Sequence, residues 1–361
     1  MSALPENSGV AVVFIQHLDP HHESMLSQIL SRNTQIAVSE ATDQTAVEPN
    51  HIYIIPANAD LSIEHGVLQV GARKPGHMVV DSFFRALAED RADHAIGVVL
   101  SGNGSDGALG LAAIKAAGGV TLAQDPQAAK FDGMPRAAIG LGDVDFVLPP
   151  AEIGQTIAQM GNDPLVLRHA VEQGEVPDRD GIKSVMKALN SAAGIDLSYY
   201  RPANLNRRIR RRMLLRQIAE FKDYAKLLAD KPAEALALSN DIMIGVTAFF
   251  REGANVDGLS EFVFPQIPLS PDEPVRIWVP GCATGEEAYS IAICLSEFLE
   301  QHNRDHSFQI FATDINNSAV ERARNGTYPS NIASDVSPER LRHFFIQVAS
   351  GYQISKQIRE R

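Results

Sequence analysis

Apolar residues follow two different rhythms along this chain. In the first 150 residues, short β-branched runs (10–15, 51–55, 96–100 and 144–148) alternate with stretches of helical spacing (23–31, 79–90 and 107–117). That alternation predicts a parallel α/β sheet with helices on both faces. Gly118 and Gly119 follow the third helical stretch as a C-cap, and Pro149-Pro150 is expected to close the domain. Residues 151–180 start with helical spacing and run into the polar, breaker-rich EQGEVPDRDG, which reads as a linker. From 181 to 243 strand signals vanish. Val185, Leu189 and Ala192, then Leu227, Leu228, Leu236 and Ile242, predict a small all-α subdomain. After Pro265 strand–helix alternation returns and is read as two strands and about two helices, fewer than a doubly wound sheet needs. There is no internal repeat.

Composition narrows the class. A chain of 361 residues predicts two or three domains, and 45% hydrophobic with 21% charged residues is ordinary for a globular protein. The longest apolar stretches, VAVVFI and AIGVVL, are strand-sized, and no secretory signal pattern opens the chain, so a cytoplasmic protein without membrane insertion is expected. Cys282 and Cys294 make no metal spacing and agree with a reducing compartment. The net charge of −12 is uneven: residues 1–150 carry 8 Lys and Arg against 17 Asp and Glu, the remainder 24 against 27. That balance argues against nucleic acid as a partner. RRIRRR at 207–212 is a local exception, with Arg207, Arg210 and Arg211 sharing one helical face at i, i+3, i+4 spacing.

Candidate chemistry concentrates in VRIWVPGCATGEEAYS (275–290) and FQIFATDIN (308–316). An apolar strand runs into a turn bounded by Gly281 and Gly285, a helix opens on Glu286 and Glu287, and a second strand ends at Asp314. Glycines let a ligand approach the backbone, a helix start offers free N–H groups, and an acid at the next strand tip suits a ribose hydroxyl. The spacing is not G-x-G-x-x-G, and two glutamates at the helix start would repel a pyrophosphate. A cationic cofactor with one ribose and no phosphate suits the site better, and S-adenosylmethionine fits that description. Taken alone, Glu286 and Glu287 read equally well as favourable first-turn acids on a helix dipole, worth ~0.3–1 kcal/mol.

These residues also carry a family resemblance. GVTAFFRE (245–252), GCATGEEAYSIA, FATDIN, RARNGTYP and SPERLRHFF together resemble the CheR-type chemotaxis receptor methyltransferases, from about Ile182 to the last residue. VVFIQHLDPHHES (12–24), EPNHIYIIPANADL (48–61), IGVVLSGNGSDGALGLAAIKAAGGVTLAQDP (96–126) and KFDGMPRAAI (130–139) resemble the catalytic domain of CheB-type receptor methylesterases. The whole chain resembles a CheB–CheR fusion, and it is expected to be cut at both ends. The implied division is a CheB-type domain at 1–150 lacking its first strand, a linker at 151–180, a CheR-type helical subdomain at 181–262, and a partial Rossmann-like domain for S-adenosylmethionine at 263–361.

By the resemblance, Thr247, Arg251, Gly281, Gly285, Glu287 and Asp314 border the cofactor, and Arg251 orients the substrate carboxylate through its bidentate fork. The family usually has Asn where this chain has Gly245. A glutamate acceptor, with a pKa about 4.3, is ionised at neutral pH, so no catalytic base is needed and placement with desolvation supplies the rate. Arg207, Arg210 and Arg211 would dock an acidic receptor surface, with a plain solvated face as the alternative. In the esterase part, His17 takes the place of the base and Asp106 that of the orienting acid of a Ser-His-Asp triad. The turn holding Asp106 could supply oxyanion N–H groups. Asn103 stands where the family often has Met. The Gly-x-Ser-x-Gly-Gly turn that carries the nucleophile is not in this sequence, and neither Ser101 nor Ser105 is placed to replace it, so negligible esterase activity is expected of this chain. Three readings follow: a bifunctional enzyme that methylates receptor glutamates and hydrolyses or deamidates them, a non-catalytic receptor-binding adaptor, and a small-molecule methyltransferase.

Overall fold

The computed structural model describes residues 3–16, 25–73, 78–161, 179–193, 197, 200, 202–243, 247–251, 258–268, 273–304, 306–348 and 351–361. The chain forms two compact units, Met1–Ile242 and Met243–Arg361.

The first unit begins with an α/β domain. Its elements are β1 (Val12–Phe14), α1 (Leu26–Asn33), β2 (Ala37–Glu40), β3 (Thr45–Ala46), β4 (His51–Ile54), β5 (Ala59–Glu64), β6 (Val67–Ala72), α2 (Val79–Arg91), β7 (Ile96–Val99), α3 (Ala108–Ala117), β8 (Val120–Gln124), α4 (Gly133–Gly140), β9 (Phe146–Leu148) and α5 (Pro150–Gly161). The apolar runs pair in parallel, as β1-β4-β2 and β7-β8-β9. Every residue of β8 is buried, as expected of a parallel strand covered on both faces. An antiparallel group, β3-β6-β5, is an addition the alternation did not predict. The main core joins Tyr53, Leu61 and Leu68 of the strands to Phe83, Phe84, Leu111 and Ile114 of α2 and α3. Pro149-Pro150 does not close the domain. Pro150 opens α5, a position where its missing N–H costs nothing, and α5 packs Ile153 and Met160 against Val120 and Leu122.

A helical layer completes this unit: α6 (Arg179–Ala193), α7 (Pro202–Leu215), α8 (Phe221–Asp230) and α9 (Pro232–Ile242). Val185, Leu189, Ile209, Met213, Tyr224, Leu228 and Leu238 form its buried core. Leu236, expected inside, is 60% exposed, because the inward positions of α9 are Ala235, Leu238 and Ile242. Leu214 and Leu215 of α7 pack on the β8–α5 core of the α/β domain, so the two layers share apolar contacts.

In the second unit, β10 (Val275–Pro280) leads into α10 (Glu286–Gln301) and then β11 (Phe308–Thr313), which pairs with β10 in parallel from Val275↔Phe308 to Pro280↔Thr313. The chain continues through α11 (Asn317–Asn325), β12 (Thr327–Tyr328), α12 (Pro338–Phe344), β13 (Phe345–Val348), β14 (Gly351–Ile354) and α13 (Lys356–Arg359). The last three strands form an antiparallel sheet, β12-β14-β13, beyond the two strands and two helices expected. Ile293, Leu295 and Phe298 of α10 pack with Phe308, Phe344, Phe345 and Ile354.

Candidate functional sites

The turn between β10 and α10 is built on three residues with positive φ: Gly281 at +70°, Ala283 at +45° and Gly285 at +97°. At Gly285 glycine is required twice over. The conformation disfavours a side chain, and a Cβ would come within 2.9 Å of Ala323 Cβ and 3.1 Å of Tyr328 Oη. At Gly281 nothing lies within 4 Å of where a Cβ would stand, so the backbone there borders open space. The turn is fixed from below. Cys282 N–H donates to Thr313 O at 3.0 Å, and Tyr328 Oη donates to Thr284 O at 2.8 Å.

Asp314 follows β11 and clasps this turn. Its Oδ2 accepts the Ala283 N–H at 2.9 Å and its Oδ1 accepts the Asn316 N–H at 2.7 Å. Each carboxylate oxygen has two lone pairs, so one on each remains for a ligand hydroxyl. The two glutamates divide. Glu287 is exposed, whereas Glu286 is half-buried and accepts the Thr284 hydroxyl at 2.6 Å. Burial raises the Glu286 carboxyl, and the Thr284 hydrogen bond opposes the rise. Burial, then the Asp314 charge, pushes the Cys282 thiol up, which leaves a neutral small group packed under the turn. Acidic side chains, open space at Gly281 and a free pair of acceptor sites fit S-adenosylmethionine, a cation with a ribose diol.

Thr247 is half-buried and Arg251 exposed. The segment between them is held on α10: the Phe250 N–H donates to Ser290 Oγ at 3.0 Å, and Ser290 Oγ donates to Glu286 O at 2.6 Å. Phe250 adopts φ +51°, rare for an aromatic residue. Its ring is covered by the Arg340 guanidinium at 4.2 Å, itself held in a fork by Glu297 at 2.9 and 2.8 Å. Phe249 packs edge-on to Tyr328 and Phe345. Ser290, Tyr328 and Arg340 were missed in the sequence. Ser290, one helical turn after Glu286, was the legible one.

In the α/β domain, Asp106 sits in the turn between β7 and α3 and is 4% exposed. Its oxygens accept the Val80 N–H at 3.2 Å and the Asp81 N–H at 2.9 Å, which caps the start of α2. Asp81 in turn accepts the Gly110 N–H at 2.7 Å. His17 lies outside the described residues. The Ser101 hydroxyl both donates to Phe131 O and accepts the Phe131 N–H, a structural tie.

The basic face is arranged differently from the expectation. Arg211 is 3% exposed and turned inward, not outward. Its Nε donates to Gly119 O at 2.9 Å, and its two terminal nitrogens meet Asp145 and Asp241. Arg208, also buried, donates to Lys115 O at 2.5 Å and to Ala116 O. Arg207 and Arg210 are half-buried. Arg210 Nε bonds Asn206 Oδ1 at 3.1 Å, and its guanidinium lies over Phe221 at 5.2 Å. The reason is geometric. Leu205, Ile209 and Met213 commit one stripe of α7 to the helical core, and the adjacent stripe bearing Arg208 and Arg211 then faces the α/β domain. Arg211 as placed cannot meet an incoming partner.

Among the described residues, no group of three or more His, Cys, Asp and Glu stands together as metal ligands, and no helix is long and apolar enough to cross a membrane.

Family models match the chain in three consecutive parts: CheB methylesterase over residues 1–157, the all-alpha domain of CheR methyltransferase over 180–243, and the CheR SAM-binding domain over 245–361. An uncharacterised 104.1 kDa protein in the hypE 3′ region of Rhodobacter capsulatus is 32% identical across 93% of this chain and 38% of its own length. A protein-glutamate methylesterase/protein-glutamine glutaminase of Carboxydothermus hydrogenoformans is 35% identical across 43% of this chain and 48% of its own. The chain thus spans less than half of either relative. The CheB methylesterase catalytic domain of Thermotoga maritima matches 44% of this chain and 88% of its own at 29% identity, with a TM-score of 0.41.

Proposed function

We propose that this chain, which joins a CheB-type domain to the two CheR-type domains and so belongs to the CheB–CheR fusions, modifies glutamate side chains of a chemoreceptor or kindred sensor. The chemistry is methylation from S-adenosylmethionine in the second unit; the first unit is its counterpart for hydrolysis or deamidation, with negligible esterase activity expected of this chain because the serine turn is not in this sequence. The observation that carries the reading is the Gly281–Gly285 turn clasped by Asp314, with the 249–251 segment pinned to the same helix through Ser290.

In this reading Asp314 accepts ribose hydroxyls on the lone pairs its two N–H bonds leave free. Glu286 and Glu287 place negative charge near a cationic donor, and Gly281 leaves room for it. Bound S-adenosylmethionine supplies the methyl group. Arg251 grips the acceptor carboxylate, and Thr247 borders the donor. In the esterase part, Asp106 orients His17. Its buried, doubly N–H-bonded carboxylate suits an acid that holds a fixed direction.

The test combines binding and transfer. Calorimetric titration with S-adenosylhomocysteine should show binding that Asp314→Ala weakens at least ~10-fold, the scale of hydrogen bonds to a charged group. Incubation with tritiated S-adenosylmethionine and a receptor cytoplasmic fragment should yield base-labile label that Arg251→Lys reduces. Unchanged binding in Asp314→Ala overturns the cofactor assignment. The burial of Arg208 and Arg211 favours one alternative, a small-molecule acceptor. Label in a small product and none in the receptor fragment would establish it.

A further inference from the structure

The arginines of α7 expected to greet a partner are spent on the chain's own α/β domain. Arg208 and Arg211 reach the C-terminal end of α3, where Lys115, Ala116 and Gly119 present carbonyls at the negative pole of that helix. Asp145, which immediately precedes β9 and accepts from the Thr121 N–H and hydroxyl, adds a full negative charge. Leu214 and Leu215 supply the apolar part of the same contact, against Val120, Leu122 and Ile153. The host domain is itself acidic, with 8 Lys and Arg against 17 Asp and Glu in residues 1–150.

This contact carries a cost that is only partly compensated. No ion pair within 4.0 Å joins Arg208 to a carboxylate among the described residues, and its two hydrogen bonds go to backbone carbonyls alone. Burial, then the charges of Arg207 and Arg211, lowers the Arg208 pKa to about 10, and the Asp241 charge opposes the fall. The Arg207 Nε is buried with no hydrogen-bond partner. Burying a cation whose hydrogen bonds all go to dipoles, with the Asp241 charge beyond contact distance, leaves part of its desolvation unrecovered. A partner offering carboxylates would relieve that cost.

We propose that the arginine face of α7 is a two-position latch, closed either on the α/β domain of its own chain or on an acidic segment of the protein substrate, and never on both. The idea rests on the reading that the acceptor is a protein. Exclusion follows from the contacts. Arg211 has all three nitrogens engaged, and both side chains are buried, so a partner carboxylate reaches neither until the helix lifts. The latch would thus hold the substrate-docking face shut until a sufficiently acidic segment competes for it. The net charge of −12 repels acidic chains generally, which restricts opening to a segment that matches this face.

Two variants open the latch without touching its arginines. Asp145→Asn keeps an acceptor for Thr121 but replaces the charge facing Arg211, and Leu215→Ala removes apolar contact from the helix side. Phenylglyoxal labelling, mapped by mass spectrometry, should modify Arg208 and Arg211 at least ~10-fold more slowly than half-exposed Arg216 in the unaltered chain, and both variants should accelerate it. A fluorescein-labelled, glutamate-rich helical peptide, followed by anisotropy, should bind each variant at least ~10-fold more tightly than the unaltered chain. Adding Arg208→Ala and Arg211→Ala should abolish that binding. Equal peptide affinity in all three proteins, with Arg211 protected throughout, overturns the latch and leaves the protein-substrate reading standing. No binding by variants whose arginines label freely overturns the protein-docking role of α7, and the latch with it.

Discussion

At the scale of single residues, Glu234 shows how much one buried charge can hold. It is 2% exposed and accepts from Arg212 at 2.9 and 2.7 Å, from Arg216 at 2.5 Å and from the Tyr224 hydroxyl at 3.0 Å. Burial by itself would raise its pKa, but the hydrogen bonds and charge of Arg212, helped by Arg216, more than offset this and hold it below the ordinary value. The Tyr224 phenol is raised, by burial first and then by Glu234. A carboxylate depressed in the folded state contributes stability that is fully present above its unfolded pKa near 4.3 and is lost as pH falls through the folded value. Glu234→Gln should therefore lower the stability of the first unit by about 3–5 kcal/mol at pH 7. The gap from the unaltered chain should narrow between about pH 5 and pH 3. Urea midpoints across that range measure it, and a gap independent of pH would remove the charge from the account.

At the scale of elements, the start of α11 links helix stability to the candidate cofactor site. Asn316 caps α11 by accepting the Ser318 and Ala319 N–H groups at 3.1 and 3.2 Å, and its own N–H donates to Asp314. One residue therefore ends the turn after β11 and aims the acid. Asn316→Ala should cost ~0.5–2 kcal/mol, as for loss of other N-caps. Because the Asp314 loop loosens with it, affinity for S-adenosylhomocysteine should fall as well. Thermal unfolding of the second unit and calorimetric titration report the two effects, and loss of stability with full affinity would confine Asn316 to the helix.

At the scale of the whole molecule, the division falls after Ile242, which places the helical layer with the α/β domain that precedes it. Calorimetry should resolve two cooperative transitions. Leu189→Ala, in the helical core, and Leu122→Ala, in β8, should lower the same transition, each by about 2–5 kcal/mol. Phe298→Ala should lower the other. Should Leu189→Ala instead shift the transition that Phe298→Ala shifts, the helical layer would belong energetically with the second unit.

The sequence by itself determined what short-range physics encodes. β-Branched runs became β1, β4, β7 and β9, and glycine closed α3 in the left-handed conformation at Gly118. The GCATGEE turn took its positive-φ backbone where the glycines allow it, with Asp314 at the tip of the next strand. These features depend on a residue and its near neighbours, so spacing reveals them. The antiparallel groups β3-β6-β5 and β12-β14-β13 were not read, because two- to six-residue strands carry little periodicity and their partners are chosen across the fold. Nor could spacing orient α7. Arginines at 207, 208, 210, 211 and 212 cover about half of its circumference, so spacing does not single out which of them face solvent and which face the chain's own fold. Leu205, Ile209 and Met213 recur one helical turn apart and mark the core side, but only tertiary packing decided that Arg208 and Arg211 meet the carbonyl end of α3 and Asp145. Burial of a charge is a property of what lies opposite, and the sequence does not say what lies opposite.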